Sequence, residues 1–406
     1  EDYKKLINRY TENRMIQGKS TAVRIIPIVF HIVHEYGVEN VTDQQIQDQM
    51  VILNEDYRKL NADTNIVIAP FDTIIGDAHI EFRLATLDPW GNCTNGIEHI
   101  YNHNTNQGDD YSKLNQWDRD KYLNVWLTKT IGSAGVAGYA YYPTGVTGTG
   151  FFRDGIIILH DYVGSIGTGS PGRSRALTHE IGHWLGLAHT WGNDNDPGSS
   201  ASCSQDDGIR DTPNCIGMTS CNLAMNSCVD GATATDYWYP NDVVDNAQNY
   251  MDYSYCSDMF TEGQVLRMHA ALESDVSGRN NLWTQENLIA TGACLDFTSV
   301  PTPDFSPNRL YACVGDEVTF KDNSWNGFVE SVTWNPGDNG EFVAGYSEND
   351  TLVKMKFHTP GWANVTLTAT NANGSNTATK ALVYVYDQSV VFPTPYYEPF
   401  EQDYLY

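Results

Sequence analysis

An α/β domain followed by a small all-β sandwich is the architecture predicted for this 406-residue chain. Three features predict it. β-branched apolar runs alternate with segments of helical period as far as about residue 290. Val300-Pro301-Thr302-Pro303 then has the composition of a linker, and beyond it short apolar runs recur at the spacing of sandwich strands. A chain of this length is expected to fold as two or more domains.

The elements follow in order. Residues 25–33 are rich in β-branched residues and nearly apolar throughout, which suits a buried strand. Thr42-Asp43 caps a helix whose Ile46, Met50, Leu53 and Tyr57 share one face. Further strands are expected at 80–87, 122–127, 137–142 and 155–159. Residues 173–188 have the pattern of a helix, the stretch to about Tyr250 is irregular, and 261–272 is helical again. In the sandwich, strands are expected at 317–321, 332–334, 352–357, 363–370 and 378–386. The expected domains are a pro-segment remnant at 1–22, the α/β domain at 23–299 and the sandwich at 300–387. Residues 388–406, with Pro393, Pro395 and Pro399, are either a tail or the start of a further domain.

Lys and Arg number 24 against 51 Asp and Glu, a net charge of −27. Such a chain is repelled by phosphate backbones and anionic lipid, so nucleic acid is excluded as a partner. The surplus carboxylates serve solubility and also offer sites for calcium, which takes oxygen ligands. No run approaches the roughly 18–20 apolar residues of a membrane span, and the first residues lack the pattern of a signal peptide. Five of the eight cysteines fall between 203 and 256, where little apolar periodicity holds the chain. Disulfides would supply that constraint and imply an oxidising compartment. The rival reading, a cysteine-rich zinc module, lacks any C-x-x-C pair.

The chemistry is concentrated in His179-Glu180-Ile181-Gly182-His183-Trp184-Leu185-Gly186-Leu187-Ala188-His189. Residues four apart on a helix lie about 40° apart around its axis, so His179 and His183 can address one ion from one face. Glu180 stands beside them and can hydrogen-bond a water on the metal. Gly186 tolerates the left-handed conformation that ends a helix, which lets the chain turn and bring in His189. Three histidines plus water make an open, catalytic zinc site rather than a closed structural one. Five fixed positions match, and a chance match anywhere in such a chain is on the order of 10⁻⁴, so the alternative of an amphipathic helix with incidental histidines is set aside. His31, His34, His79, His99, His103, His160, His269 and His358 have no partner at diagnostic spacing and are assigned structural or surface roles.

At these residues the chain resembles the metzincin clan of zinc peptidases, with Asn249-Tyr250-Met251-Asp252-Tyr253 as the methionine turn. The combination with His189-Thr190-Trp191 and Asp211-Thr212-Pro213 resembles the pappalysin family, over about residues 25–288. The resemblance implies a metzincin-type catalytic domain: a twisted mixed sheet with helices, an irregular lower subdomain and a cleft between them. Met251 would floor the metal site, and Tyr253 would donate to the developing oxyanion. Ala137, Gly138, Tyr139 and Ala140 would form the sheet edge along which a peptide lies extended. Calcium would be held by Asp207 and Thr212 with the backbone carbonyls of Asp206 and Ile209. The implied disulfides are Cys203 with Cys228 and Cys221 with Cys256. Cys93, Cys215, Cys294 and Cys313 have no such guide, although a Cys294–Cys313 bridge would clamp the linker.

Residues 303–386 resemble a PKD-type, immunoglobulin-like sandwich through Cys313-Val314-Gly315-Asp316, Trp334-Asn335-Pro336-Gly337-Asp338 and 365–371. It departs from that pattern in having Asn335-Pro336 where an aromatic commonly follows. The expected function is a secreted zinc-dependent endopeptidase acting on proteins or peptides by metal-activated water, with Glu180 as base. The competing expectation is a zinc-containing adhesin without turnover, against which the presence of Glu180 counts. Some members of the pappalysin family that the chain resembles favour Arg or Lys after the scissile bond through an acid behind the methionine turn; here only Ser254 and Tyr255 stand between Tyr253 and Cys256, so the resemblance implies a broad or apolar preference instead. Asp258 is the acid that could change it.

Overall fold

Strand β1 (Arg24–His34) is buried along nearly its whole length, and its near-continuous apolar run is what a strand covered on both faces requires. It is long enough to serve two partners on one side. β2 (Ile80–Leu84) pairs in parallel with its first half and β3 (Ile97–Tyr101) with its second, while β4 (Leu123–Thr128) runs parallel along the other side. β5 (Gly138–Ala140) and β6 (Ile156–Leu159) complete the sheet in the order β2-β1-β4-β6-β5, with β3 also on β1. β6 is parallel to β4, and β5, antiparallel to β6, is the edge.

The structure, a computed structural model, describes residues 22–132, 135–229, 238–239, 241–293, 300–322, 324 and 329–387. The chain divides into two compact units, Glu1–Cys294 and Leu295–Tyr406. The expected pro-segment (all but residue 22), the tail at 388–406 and the Cys294 half of the suggested bridge lie outside the described residues.

In the first unit α1 (Asp43–Tyr57) starts where Thr42 accepts from the Gln45 amide, and it buries Ile46, Met50, Leu53 and Tyr57 against the sheet core. The metal-motif helix α2 (Ala176–Trp184) is shorter than the expected 173–188. Arg173 and Ser174 instead form a turn on the Ser170 carbonyl, and Leu185 already leaves helical geometry. α3 (Glu262–Glu273) opens with a reciprocal Thr261–Gln264 capping box. The short α4 (Gln285–Ala290), capped by Thr284, and strand β3 have no counterpart in the sequence reading. The strand expected at 80–87 ends at Leu84, and that at 137–142 is cut to three residues. The irregular segment carries both disulfides, Cys203–Cys228 and Cys221–Cys256, with Cα separations of 5.4 and 5.6 Å. Cys93, Cys215 and Cys313 are free among the described residues.

The second unit has two four-stranded sheets around one core. β10 (Ser331–Asn335), β13 (Gly361–Asn371), β14 (Gly374–Tyr386) and β8 (Tyr311–Cys313) form one. β11 (Gly340–Phe342), β12 (Leu352–Phe357), β9 (Val318–Asp322) and β7 (Phe305–Pro307) form the other. Alternate residues of both sheets, among them Phe320, Trp334, Met355, Leu367 and Val383, meet in that core. β7, β8 and β11 are too short to have shown in the sequence.

Candidate metal centre and active site

α2 presents His179 and His183 one turn apart and then stops. Gly186 takes φ of +89°, the Leu187 amide donates to the Gly182 carbonyl and the Gly186 amide to His183, a Schellman end. The chain turns there and returns with His189. The ligand-capable atoms of His179, His183 and His189 all lie within 4.8 Å of one another, and among the described residues no other group of three comes together this way.

Each imidazole is oriented from behind. Nδ1 of His179 donates to the Tyr250 carbonyl at 2.7 Å, that of His183 to Leu187 at 2.7 Å and that of His189 to Asp194 at 2.8 Å. With Nδ1 occupied, all three Nε2 lone pairs are left for an ion, and Nε2 of His183 and His189 are 3.1 Å apart. Burial pushes His179 down to about 3 and His183 to about 4, and it lowers His189 further, with the neighbouring histidines assisting. The donors are therefore neutral nitrogen ligands on three sides, a set that suits zinc and leaves a side open.

Glu180 is buried beside them. Burial raises its carboxyl to about 8, opposed by a hydrogen bond from the Ala140 amide. That amide belongs to β5, and Gly138 on the same strand packs closely there: a Cβ would lie 3.1 Å from Glu180 Cγ and 3.0 Å from the Ile157 carbonyl, so the neighbours would have to give by a few tenths of an ångström. The Leu159 amide donates to Ala137, so in the antiparallel alternation the groups of Gly138 and Ala140 point away from β6, to the open edge.

The methionine turn closes the site from below. Met251 is fully buried, and Gly182 admits it: a Cβ on Gly182 would come within 2.4 Å of Met251 Sδ. The Met251 amide is held by Asn249, whose amide exchanges two hydrogen bonds with Gln264 of the α3 capping box. Thr190, next to His189, donates its amide to the Met251 carbonyl and its hydroxyl to Asp252. Tyr253 places its ring 5.4 Å from that of His179 and 4.8 Å from that of His189, and Trp191 stacks on His189 at 4.3 Å. Burial pushes the Tyr253 phenol above its ordinary range, which keeps it a donor.

Several residues that hold this arrangement have no signal in the sequence. Buried Asp56 of α1 accepts from Thr178 at 2.7 Å and Tyr250 at 2.8 Å and pairs with Arg175 at 3.2 Å, tying α1, α2 and the methionine turn together. Behind α2, Asp154 accepts from Trp184 Nε1 and makes a two-pronged pair with fully buried Arg279, whose guanidinium lies 3.9 Å over the Trp184 ring. Asp258 is also buried, engaged by Arg175 at 3.2 Å and by Gln248 at 2.9 Å. Of the expected calcium residues, Asp207 accepts from Thr212 Oγ1 and the Ile209 amide, Thr212 also donates to the Ile209 carbonyl, and Asp206 caps the Gly208 amide. His31 and His269 have structural roles: His31 bridges Glu98 and Asn124, and His269 donates to Ala78.

Residues 105–273 match the peptidase family described as Pregnancy-associated plasma protein-A. An extracellular metalloprotease of Colletotrichum graminicola is 30% identical over 280 residues, covering 66% of this chain and 83% of that protein. Extracellular metalloprotease 1 of Coccidioides posadasii is 32% identical over 252 residues, covering 59% and 73%. Among solved structures, Tannerella forsythia mature mirolysin in complex with a cleaved peptide superposes with a TM-score of 0.57 at 34% identity, over 67% of this chain and 99% of that one. No helix among the described residues is long and apolar enough to cross a membrane. The matched segment carries the histidine cluster and the methionine turn, and on that ground the chain belongs to the pappalysin family of metalloendopeptidases, within the metzincins.

Proposed function

We propose that the protein is a secreted zinc endopeptidase in which His179, His183 and His189 hold the ion and Glu180 is the general base. The observation that carries this reading is the set of three Nδ1-to-carbonyl bonds, which leaves three Nε2 atoms converging beside a buried carboxylate. Zinc, when bound, lowers the pKa of a water and polarises the scissile carbonyl. Glu180 takes the proton of the attacking water and passes it to the leaving amine nitrogen, for which a desolvated carboxyl with a raised pKa is apt. Tyr253, kept protonated by burial, donates to the oxyanion. The substrate backbone pairs with the outward groups of Gly138 and with the outward carbonyl of Ala140, whose amide is engaged by Glu180, within the edge expected at Ala137 to Ala140. Because Asp258 is already bound by Arg175, no free acid selects a cation after the scissile bond, and the preference there is broad or apolar.

Calcium would be held by Asp207, Thr212 and the carbonyls of Asp206 and Ile209. Burial, and then the charge of Asp206, push the Asp207 carboxyl well above its ordinary range, and a hard cation would relieve both. Secretion is supported by the two disulfides and by relatives named extracellular. The second unit is read as a PKD-like, immunoglobulin-like spacer or binding module, supported by its two facing sheets.

Glu180→Gln tests the base: turnover should fall by about 10²–10⁴ with zinc content unchanged, and near-normal turnover would remove Glu180 from that role. Removal of calcium with zinc held constant should lower the melting temperature; an unchanged value would dismiss the calcium loop.

A further inference from the structure

β5 contributes the Ala140 amide to Glu180, yet only three of its residues pair with β6. So short an edge strand needs support beyond its ladder. Side chains alternate across a strand, so Tyr139 points to the face opposite Gly138 and Ala140, where it packs with Val33, Trp126 and Ile157. An ion pair between a buried lysine and a half-buried aspartate lies under that face. The side chain of Lys113 is 1% exposed, pairs with Asp110 at 3.2 Å and donates to the Arg153 carbonyl. Its ammonium lies 5.1 Å from the ring centre of Tyr141, 5.5 Å from that of Tyr139 and 5.8 Å from that of Trp126, a three-ring cage around a cation. The hydroxyls of Tyr139 and Tyr141 both donate to Asp110, at 3.4 and 3.0 Å.

We infer that Lys113 and Asp110 are positioning residues that fix the edge strand β5 at its working distance from Glu180, and so set how tightly an extended peptide is bound. The inference rests on the reading of β5 as the substrate edge. A buried lysine is costly without its counter-charge and cage, and burial does push the Lys113 ammonium below its ordinary range against the pull of Asp110. The cage closes only when β5 is in place, because two of its three rings belong to Tyr139 on that strand and Tyr141 just past it. The same contacts therefore make the ion pair favourable and hold the strand.

Losing one partner alone would leave a charge poorly compensated, so the test uses the pair Lys113→Met with Asp110→Ala in the full zinc-loaded chain. The melting temperature and zinc content should stay near the parent's. KM for a ten-residue peptide should rise roughly tenfold with kcat within about twofold, while KM for a tetrapeptide that spans little of β5 should change less than about twofold. A parental KM for the ten-residue peptide, or an equal rise for both lengths, overturns the inference. Backbone N-methylation scanned along the ten-residue peptide separates the two readings on the parent enzyme. If no position shows an alternating loss of kcat/KM, the substrate-edge reading itself fails. If the alternation is present and the double variant keeps the parental KM, only the positioning role of Lys113 and Asp110 fails.

Discussion

Gly182 sits mid-helix in α2, where on an exposed face alanine would stabilise by about 1 kcal/mol. Here the sign should reverse. A Cβ at Gly182 would stand 2.4 Å from Met251 Sδ, whereas ordinary contact begins at 3.4 Å, so the sulfur has to retreat by 3.4 − 2.4 = 1.0 Å. Met251 is fully buried, and Leu187 Cδ1 is already 3.5 Å from the same point. Overpacking of that kind costs about 1–3 kcal/mol. With the propensity gain of about 1 kcal/mol deducted, Gly182→Ala should destabilise by up to about 2 kcal/mol, or up to about 4 °C in melting temperature for a unit of this size. The displacement is passed on to the neighbouring Tyr250 carbonyl and hence to His179, so zinc affinity should fall as well. Denaturant unfolding at saturating zinc and chelator competition measure the two effects. Combining the change with Met251→Ala should recover part of the stability lost by adding the methyl. A Gly182→Ala protein more stable than its parent, or no coupling between the two sites, would refute the packing argument.

Asp154→Ala leaves Arg279, which is 0% exposed, without its counter-charge, and the loss should be about 3–5 kcal/mol by denaturant unfolding; replacing both by apolar residues should recover most of it. His269 is held down to about 4, first by burial and then by Arg24, against about 6.5 unfolded. The unfolded chain thus binds the extra proton first, so the stability linked to this group is complete above about pH 6.5 and lost as pH falls toward 4, at most about 3 kcal/mol; His269→Phe should flatten that part of the pH–stability curve. Replacing Cys221 and Cys256 by serine opens a 35-residue loop and should cost about 4 kcal/mol under oxidising conditions, with no difference from the parent once both are reduced.

The metal motif was legible because its logic is local: two residues one turn apart, a glycine that reverses the chain and a third ligand three residues on. Helix α1 was legible for the same reason, its cap and buried face being written within 16 residues, Thr42 to Tyr57. β3 was not, because its existence depends on β1 being long enough for two partners end to end, a fact about pairing that Ile97 to Tyr101 does not carry. α2 was read too long because Arg173 and Ser174 are compatible with helix, and only the Ser170 turn decides otherwise. The groups that orient the histidines were illegible in principle: Tyr250, Leu187 and Asp194 act through their carbonyls, so their side chains say nothing about it. Asp56, Arg279 and Lys113 are defined mainly by partners more than 25 positions away, the contacts of Lys113 with Asp110 and Trp126 being nearer.

The three carbonyls behind the histidines have a further consequence, for the thermodynamics of loading. Many zinc sites must expel protons before they can bind, and their affinity climbs steeply with pH. Here His179 and His183 remain neutral down to about 3 and 4, His189 lower still, and a proton already fixed on each Nδ1 has no reason to move to Nε2. Metal capture then displaces no proton from the imidazoles. Whatever protons are released on loading come from the water or from Glu180, so proton release measured by calorimetry in buffers of different ionisation enthalpy would report on the catalytic pair alone.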